Sequence, residues 1–588
     1  MFKCRIITDQ FILAVFCGIV FLSFLGSSRL WDWDEAINAS TAREMYVRND
    51  WIVPRFNDEL NFNKPIMVTL GIILSYSVFG ITEFAARFPS ALWSIATVLC
   101  AYHIGLRFFG RSVAFRAAII LATSLMFCVE ARAATPDAVL IFWITTAIMI
   151  YVTGTYLPPV EDENIANPPK LRHENEFFPQ STVVVLLMYT AMGVAVLAKG
   201  PIGFLIPTSV IGLFLLIKRF NPKSPDGVPR SFFSKIFFHI GRLFHPIHFY
   251  KTCVYMRLGI GLLAVLVVAT PWYIWVGVKT DWEWPMVFLL KHNVGRALAP
   301  MEGHRGPFFF YVLALLFGTF PWSVFFLPTC IDIVKRLNRG TPFTDGLIFA
   351  LCWSGIIITA FSFAATKLPN YIASMFPAAA LIYAVYLHFW SQKKELAGKF
   401  WTPIVIGVYG FVGLIMALVL GLLPRLAPTL LPDEGILAIV GAVVLIGAAV
   451  AAIVWLRMEN METRKTLDHT LRLSFIAFIV MIFFWAPARI SKHQQYVEMF
   501  AELYRQTPNA KIVLVRCLEP SWIFYSGAPM PQLDFEEVEE FLQTNAENGY
   551  VLLKESDLKT LNSHLEKPLT PVRTVPYFLR QKNLVLGR

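Results

Sequence analysis

Charged residues are scarce in this chain: Asp, Glu, Lys and Arg make up 15% of its 588 residues, whereas hydrophobic residues make up 56%. A soluble domain of this size cannot bury that much apolar surface, so the composition predicts a polytopic membrane protein. The net charge of +11 does not indicate a nucleic-acid partner, because Lys and Arg collect in the cytoplasmic loops of membrane proteins.

Several chemical signatures are also absent. The eight cysteines are scattered and form no CxxC pair, which argues against a disulfide framework and against a thiolate metal site. Neither a GxGxxG motif nor a P-loop occurs, so no nucleotide-binding loop is predicted. No A-x-A-like cleavage site follows the first apolar segment, and we interpret that segment as a retained span rather than a signal peptide.

Apolar segments of about 20 residues, the length that crosses a bilayer, recur along most of the chain. The sequence predicts about thirteen such spans, at 10–27, 84–106, 113–131, 137–157, 181–198, 201–217, 258–277, 307–328, 345–363, 369–389, 401–423, 435–456 and 470–490. The segment 66–79 is too short to span comfortably and predicts an interfacial helix. The predicted fold class is therefore an all-α polytopic membrane protein.

Basic residues collect in every second loop. The loop 218–257 holds eight Lys or Arg against one acid, Asp226. Basic residues also mark the N-terminus and the loops at 107–116, 335–339, 392–399 and 457–465. By the positive-inside rule these segments are cytoplasmic, so an odd number of spans places the C-terminus on the outer face of the membrane.

The C-terminal residues 493–588 have a different texture from the membrane part, 1–492. Strands are predicted at 510–518, 521–527 and 549–555, and amphipathic helices at 534–545 and 556–565. Alternating strands and helices are typical of an α/β fold. The sequence thus predicts a small extracytoplasmic α/β domain after the last span.

Charge is concentrated in the stretch 31–65, which carries eleven charged residues in 35. Its first part, 34–48, has helical spacing and predicts a helix lying flat on the membrane surface. The two sides of that helix hold Ile37, Thr41 and Met45, and Glu35, Asn38 and Arg48. Pro54 and the polar residues that follow it predict an irregular return. The outer loops 28–82 and 278–306 are therefore candidates for the catalytic loops.

Outer connections of the first ten spans carry charged residues near membrane depth. Five are cations and two are isolated carboxylates: Arg55, Lys64, Lys199, Arg296, Lys367, Asp34 and Asp137. One alone is explained as an interfacial anchor or a snorkelling side chain, but intramembrane charge is costly, and its accumulation on one face indicates a site. Cations beside a carboxylate are what a phosphate-bearing substrate and a proton-accepting base require. On the outer face, that substrate is expected to be lipid-linked.

The order of motifs along residues 10–390 resembles one enzyme family. The first outer loop shows, in order, Asp34-Glu35, Glu44-Met45, Trp51, Pro54, Asn57 and Lys64-Pro65. Further along stand ATPD, AKGPIG, ATPWYIWV, FLLKHNVGRAL, HRGPFFFY, FGTFPWS and TKLPNYIASMFP. The pattern is similar to the lipid A aminoarabinose transferases, relatives of the dolichyl-phosphate-mannose-protein mannosyltransferases in the C-type glycosyltransferase superfamily.

The resemblance implies an inner-membrane glycosyltransferase with an undecaprenyl-phosphate sugar as donor. It implies that Asp34 and Asp137 are the essential acids, and Glu35 of the same motif is a further catalytic candidate whose alternative is an ion pair with Arg or Lys. The lipid phosphate is expected at Lys64, Arg296 and Tyr371. With the other outer cations, the candidate phosphate-binding residues are Lys64, Arg55, Lys199, Arg296, Lys367 and Tyr371.

The chain also departs from the family pattern. The resemblance implies a divalent cation near His292, but Asn63 stands where the family often has glutamate, and a neutral amide is a poorer ligand for such a cation. No cofactor is therefore predicted with certainty. Ile37 and Asn38 replace the Arg and Tyr of the family, which leaves open the sugar and the acceptor, a hydroxyl or a phosphate of lipid A, of another glycolipid or of a protein.

Two groups of alternatives stay open at this point. Asp34 either accepts the proton of the acceptor in a single inverting displacement or merely caps a helix, and Asp137 also has the position of an N-cap. The rival function is a polyprenyl-linked lipid transporter or flippase. That rival predicts broken, polar segments at mid-membrane in paired halves, whereas this sequence places its charge at the outer ends of spans.

Overall fold

Apolar helices form most of the protein. The computed structural model describes residues 2–158, 169–220, 240–299, 305–341, 344–392, 398–428, 431–457 and 461–588, and parts of three basic loops, 221–239, 393–397 and 458–460, lie outside them. Before the C-terminal domain its α-helices are Phe2–Leu22, Asp34–Arg48, Met67–Phe79, Glu83–Phe109, Arg111–Ala122, Leu125–Arg132, Pro136–Thr155, Thr182–Lys199, Ile202–Lys218, Pro246–Tyr255, Leu258–Lys279, Glu283–Met286, Arg296–Leu298, Phe310–Gly318, Phe326–Arg339, Thr344–Phe363, Phe376–Gln392, Gly398–Gly421, Leu423–Leu426, Ala438–Leu456, Met461–Val480 and Ala486–Ile490. Two π-helices, Val287–Gly295 and Met481–Trp485, and 3₁₀ turns at Trp322–Phe325, Pro369–Met375, Glu434–Leu437 and Ser491–His493 join them.

Ten helices within the described residues are long and apolar enough to cross a membrane, and twelve if each of two bent pairs counts as one span. These helices show the multi-pass membrane fold that the sequence predicts. The predicted number of thirteen also requires the seventeen-residue helix Ile202–Lys218 and stays a prediction. The helix Met67–Phe79 forms where 66–79 was expected to be helical, and its position at the membrane interface likewise stays a prediction.

Two spans predicted as continuous are bent instead. The segment 113–131 breaks by 65° between Arg111–Ala122 and Leu125–Arg132, where Thr123 and Ser124 turn their hydroxyl groups onto the carbonyls of Ile119 and Ile120. Such back-bonding bends helices. The segment 307–328 breaks by 117° next to Pro321, which has no amide hydrogen to continue a helix.

The helix Asp34–Arg48 has the bounds that the sequence predicts, but its buried face is different. Glu35, Asn38, Thr41 and Met45 are buried, whereas Ile37 is only half-buried. The reason is that the helix packs against Met67–Phe79 on one side and against the C-terminal helix Pro520–Ser526 on another. A helix covered on two sides buries polar residues that a free surface helix would expose.

A five-stranded mixed sheet forms the core of the C-terminal domain. After a two-residue hairpin in the first outer loop, β1 Arg55–Phe56 and β2 Glu59–Leu60, the strands are β3 Lys511–Val515, β4 Gln532–Leu533, β5 Gly549–Lys554, β6 Pro571–Pro576 and β7 Asn583–Gly587. Their order is β4-β3-β5-β7-β6, with β3 parallel to β4 and β5, and β7 antiparallel to β5 and β6. Helices cover it at Tyr496–Gln506, Pro520–Ser526, Val538–Thr544 and Glu555–Asn562, with a 3₁₀ turn at Phe535–Glu537.

The predicted strand at 521–527 is wrong, because this segment is the helix Pro520–Ser526. Pro520 occupies the first turn, where its missing amide hydrogen costs nothing, and Gly527 ends the helix at φ +75°. The strands at 511–515 and 549–554 and the helices at 538–544 and 555–562 form where the pattern predicts them. The α/β character of the domain is therefore correct, and its boundary at residue 493 stays a prediction.

Candidate active site

A cavity of about 160 Å³ collects residues from five separate segments of the chain. It lies between the end of the first outer loop, the first turn of Pro136–Thr155, the end of Thr182–Lys199, the π-helix Val287–Gly295 and the turn Pro369–Met375. Its polar lining consists of Asn63, Lys64, Asp137, Lys199, His292, Asn293, Arg296, Asn370, Tyr371 and Ser374. Five of the residues proposed from the sequence as catalytic or phosphate-binding, and His292, thus meet in one place.

Asp137 and Lys199 form a buried ion pair in this cavity. The Nζ–Oδ1 distance is 2.6 Å, and the side chains are 5% and 11% exposed. The other carboxylate oxygen accepts a hydrogen bond from Asn370 Nδ2 at 3.1 Å, and Lys199 Nζ lies 5.4 Å from the ring centre of Tyr371. No side chain caps the helix Pro136–Thr155, so the N-cap interpretation of Asp137 is wrong.

Lys64 lines the cavity, and its ammonium group has no hydrogen-bond partner in the described chain. Its side chain is half-buried at the cavity wall, and it forms no hydrogen bond or ion pair with the part of the chain that the structure describes. Burial is the main cause that lowers the pKa of Lys64 to about 8, and the positive charges of Lys199 and Arg296 add to it, while Asp34 and Asp137 oppose it. Lys64 is therefore within electrostatic reach of both proposed acids.

The end of the first outer loop is fixed against a cluster of aromatic side chains. Trp284 Nε1 donates to the carbonyl of Asn61 at 2.6 Å, and Trp272 Nε1 donates to the carbonyl of Ile52 at 3.2 Å. Asn61 Nδ2 in turn donates to Thr41 Oγ1 at 2.9 Å, within the helix that begins at Asp34. These bonds tie both ends of the loop to one frame and hold Lys64 beside the π-helix that carries His292.

The surroundings of His292 do not fit a divalent cation. Its Nδ1 is buried without a hydrogen-bond partner among the described residues. Burial, and then the charges of Arg296, Lys64 and Lys291, lowers the pKa of His292 to about 4. A cation would meet those three positive charges and the neutral Asn63, and no group of three or more His, Cys, Asp or Glu that could hold a metal occurs within the described chain. We therefore assign His292 to the cavity wall and derive no step through a metal.

Asp34 stands at the first position of the helix Asp34–Arg48. Its side chain is exposed and forms no hydrogen bond or ion pair with residues that the structure describes. The N-cap residue is Trp33, and no side chain caps the helix, so the N-cap interpretation of Asp34 is also wrong. Asp34 is thus a carboxylate held at a fixed point, near Lys64, with both oxygens available.

Glu35, the neighbour of Asp34, is hydrogen-bonded within the protein through both carboxylate oxygens. Its two oxygens accept from Arg87 Nε at 2.7 Å and from an Arg87 terminal nitrogen at 2.9 Å, and both side chains are at most 5% exposed. The same carboxylate accepts from the amides of Trp31 at 2.9 Å and Ala134 at 3.1 Å. The ion-pair alternative for Glu35 is the one that the geometry favours, because no lone pair faces the cavity.

Two predicted phosphate-binding residues lie outside the cavity lining. Lys367 is 7% exposed, and its Nζ donates to the carbonyls of Ser362 at 2.8 Å and Ala364 at 3.1 Å, at the C-terminal end of Thr344–Phe363. Arg55 lies in the β1–β2 hairpin and donates to the carbonyl of Asp58 at 3.1 Å. Both cations satisfy main-chain carbonyls, and neither is brought to the other five residues.

Sequence reasoning overlooked Glu130, Asn370 and Arg87. Glu130 is 3% exposed, accepts a hydrogen bond from Thr135 Oγ1 at 2.9 Å, and lies near Asp137 and Lys199. In the sequence Glu130 is an acid inside an apolar segment, and such an acid by default marks a functional position in a membrane protein. Asn370 had the weaker signal of standing directly before Tyr371.

Comparison with known proteins confirms the resemblance that the motifs indicate. Residues 63–157 match the family described as dolichyl-phosphate-mannose-protein mannosyltransferase. The undecaprenyl phosphate-alpha-4-amino-4-deoxy-L-arabinose arabinosyl transferase of Aeromonas salmonicida is 27% identical over 461 residues, which cover 78% of this chain and 73% of that protein. The corresponding transferase 2 of Proteus mirabilis is 26% identical over 413 residues, which cover 69% of this chain and 64% of that protein. The chain thus spans about two thirds of the length of some of these relatives.

The fold is similar to that of a solved structure. The crystal structure of ArnT from Cupriavidus metallidurans bound to undecaprenyl phosphate superimposes with a TM-score of 0.73 at 20% identity, and the superposition covers 98% of this chain and 97% of that one. This similarity includes both the helical part and the C-terminal domain. It shows that the two chains share a fold.

Proposed function

We propose that this chain is a multi-pass membrane glycosyltransferase. It transfers a sugar from a polyprenyl-phosphate donor, of the undecaprenyl type that the names of its relatives give, to an acceptor hydroxyl group on the outer face of the membrane. The C-terminal domain lies on that outer face. The observation that carries the proposal is the convergence of Lys64, Lys199 and Arg296 with Asp137 and Tyr371 around one cavity.

The cationic side of the cavity fits a phosphate group. Lys199 is already neutralised by Asp137 at 2.6 Å, whereas Lys64 has an ammonium group without a partner in the described chain, and Arg296 adds a guanidinium to the same wall. An anion entering here gains charge-assisted hydrogen bonds from groups whose hydration is already reduced. Apolar residues at the cavity, among them Leu140 and Ile202, suit the first isoprene units of a lipid.

The proposed reaction assigns the Asp34 carboxylate to the acceptor and the cations to the departing phosphate. The acceptor hydroxyl loses its proton to Asp34 as its oxygen forms a bond to C1 of the sugar. The bond between C1 and the phosphate oxygen breaks, and its electron pair leaves with the polyprenyl phosphate. Lys64, Lys199 and Arg296 stabilise the charge that develops there. Attack and departure on opposite faces of C1 invert its configuration.

The proposal is tested by transfer from radiolabelled undecaprenyl-phosphate sugars in proteoliposomes. Asp34→Asn keeps the shape of the side chain and removes the base, so we expect the transfer rate to fall by about 10²- to 10⁴-fold with donor affinity retained. Glu59→Gln is the matched control, because Glu59 is an exposed acid of the same outer loop and its carboxylate forms no hydrogen bond or ion pair with described residues. Equal rates for Asp34→Asn and the wild type would overturn the assignment of the base.

The same preparation separates the proposed enzyme from a lipid transporter. Vesicles with donor in one leaflet report flipping by its accessibility to a membrane-impermeant periodate, and sugar transfer by the mass of the acceptor. A glycosyltransferase changes the acceptor mass. Redistribution of the donor without any transferred sugar, for every acceptor tried, would establish the rival function instead.

A further inference from the structure

Trp33 has an unusual position directly before the proposed base. It is a bulky residue at φ +68° and ψ −116°, a region that residues with a side chain seldom adopt and that persists only where neighbouring contacts impose it. Its side chain is 60% exposed and makes no hydrogen bond or ring contact within the described chain. The fold thus holds a large apolar side chain in solvent by an unfavourable backbone conformation, which indicates a role for the exposed indole.

The residues on both sides of Trp33 and Asp34 are the ones that impose it. Trp31 packs on Phe578, with ring centres 6.1 Å apart, and the Asp32 carboxylate accepts from the amide of Ser521 at 3.1 Å. On the other side Glu35 is fixed by Arg87. The segment is therefore anchored at three positions, and the two positions between the anchors carry an exposed indole and an exposed carboxylate.

The main chain just before Trp33, at residues 29–31, is largely occupied. The carbonyl of Leu30 accepts from Gln494 Nε2 and that of Arg29 accepts from Arg87, while the amides of Leu30 and Trp31 donate to Tyr525 Oη and Glu35. An extended peptide is recognised largely through main-chain hydrogen bonds, which these groups no longer offer. The residues just before Trp33 therefore offer little main chain for recognition, whereas Trp33 and Asp34 offer two exposed side chains, a flat apolar surface and an acceptor of hydrogen bonds.

We propose that Trp33 is the binding surface for the saccharide of the acceptor, with the C–H face of a sugar ring stacked on its indole and a ring hydroxyl directed to Asp34. A pyranose presents an apolar face and a rim of hydroxyl groups, which is the chemistry that this pair complements. The inference rests on the proposed function and narrows it, because it names a glycolipid or other saccharide rather than a protein side chain as the acceptor.

The experiment measures transfer from the undecaprenyl-phosphate sugar to a series of octyl glycosides and to a Ser/Thr peptide, with the full chain in nanodiscs. For Trp33→Ala we expect the KM for the glycoside to rise about tenfold, with the KM for the donor and the kcat at saturating acceptor unchanged. Trp33→Phe retains an aromatic face and restores most of the lost affinity. Saturation-transfer NMR on the glycoside C–H protons gives a second readout, which Trp33→Ala should abolish.

Trp282 is the matched control. It is 51% exposed, has φ +65° and precedes the helix Glu283–Met286, so it shares the residue type, exposure, backbone conformation and following carboxylate of Trp33, but Glu283 is not the proposed catalytic base. Trp282→Ala should leave the KM for the glycoside unchanged. Equal effects of the two substitutions would show that both tryptophans are interfacial anchors and would overturn the inference.

The remaining outcomes also separate the two proposals. Transfer by the wild type to the peptide but to no glycoside would overturn the saccharide assignment and leave the glycosyltransferase intact. An unchanged glycoside KM in Trp33→Ala would overturn the role of the indole alone. No transfer from any donor to any acceptor would overturn the proposed function, and the inference with it.

Discussion

The buried surroundings of Glu35 and the cavity beside Lys64 lie at opposite ends of the same outer loop, and they differ in how charge is compensated. Around Glu35 every ionic atom has a partner, since Arg87 binds both oxygens and also donates to the carbonyls of Leu25, Ser28 and Arg29. Around Lys64 positive charge exceeds negative charge, and its ammonium has no partner in the described chain.

This difference separates groups that build the loop from groups that meet a substrate. A buried ion pair whose hydrogen bonds are all made fixes geometry, and removing one partner leaves a charge that the protein cannot solvate. A cluster with surplus charge costs stability in the absence of ligand and is compensated only when an anion binds. Asp34 belongs with the second group although it stands directly beside Glu35, which shows that chain proximity does not decide the role.

The largest effect on stability is expected at Glu35. Glu35→Ala leaves the buried guanidinium of Arg87 unpaired, so the free energy of unfolding should fall by about 3–5 kcal/mol. Denaturant unfolding in mild detergent, followed by the fluorescence of the C-terminal domain, measures this. The double variant Glu35→Met/Arg87→Met is the control, and it should recover most of the loss because no uncompensated charge remains. A single variant as stable as the wild type would contradict the proposed role of the pair.

At the other end of the loop we expect a loss of donor affinity without a loss of stability. Lys64→Gln removes one charge-assisted hydrogen bond to phosphate, which corresponds to about 1.5–3 kcal/mol, or roughly a 10- to 100-fold weaker Kd for the undecaprenyl-phosphate sugar. Isothermal titration in nanodiscs gives this Kd. Lys64→Arg retains the charge and should bind nearly as well as the wild type. Unchanged binding by Lys64→Gln would remove Lys64 from the donor site.

The pH dependence of donor binding sharpens the same comparison. Burial and the neighbouring cations lower the pKa of Lys64 to about 8, so its ammonium group is present below that pH and is lost above it. The affinity for the donor should therefore decrease as the pH rises from 7 to 9, where the phosphodiester itself keeps its charge. In Lys64→Arg the guanidinium stays charged over this range, and the decrease should disappear. A wild-type profile as flat as that of Lys64→Arg would contradict the assignment.

Much of the fold follows from local pattern. Long apolar runs are visible in sequence because a span must be apolar throughout, and the helix at Asp34–Arg48 and the strand at Gly549–Lys554 follow from their periodicity. The cavity residues were found for a different reason, since the sequence pattern places each near the predicted outer end of a span. A common topology brings such ends to one side of the membrane, and the structure then places Lys64, Lys199 and Arg296 around one cavity.

Partners distant in sequence could not be predicted in this way. Arg87 lies 52 positions from Glu35, and nothing in the local pattern of either residue names the other. The segment 521–527 is apolar whether it forms a strand or a helix, so only the packing of Pro520–Ser526 against the first outer loop decides between them. Bends at Thr123 and Pro321 depend on which neighbouring helix accepts the released hydrogen bonds, as Phe320 does for the amide of Leu125 at 3.0 Å.

The smallest effect is expected at Lys367, a lysine that resembles Lys64 in sequence but not in its surroundings. Its Nζ donates to the three carbonyls of Phe361, Ser362 and Ala364 at the C-terminal end of Thr344–Phe363, so Lys367→Met should lower the free energy of unfolding by only about 0.3–2 kcal/mol. The Kd for the undecaprenyl-phosphate sugar should stay within about twofold, since a cation that already binds main-chain oxygens has no donor left for phosphate. The same titration and unfolding measurements decide this. A tenfold loss of donor affinity in Lys367→Met would mean that the lysine leaves its carbonyls to bind the lipid phosphate. Hydrogen bonds to protein carbonyls would then no longer distinguish structural cations from phosphate-binding ones.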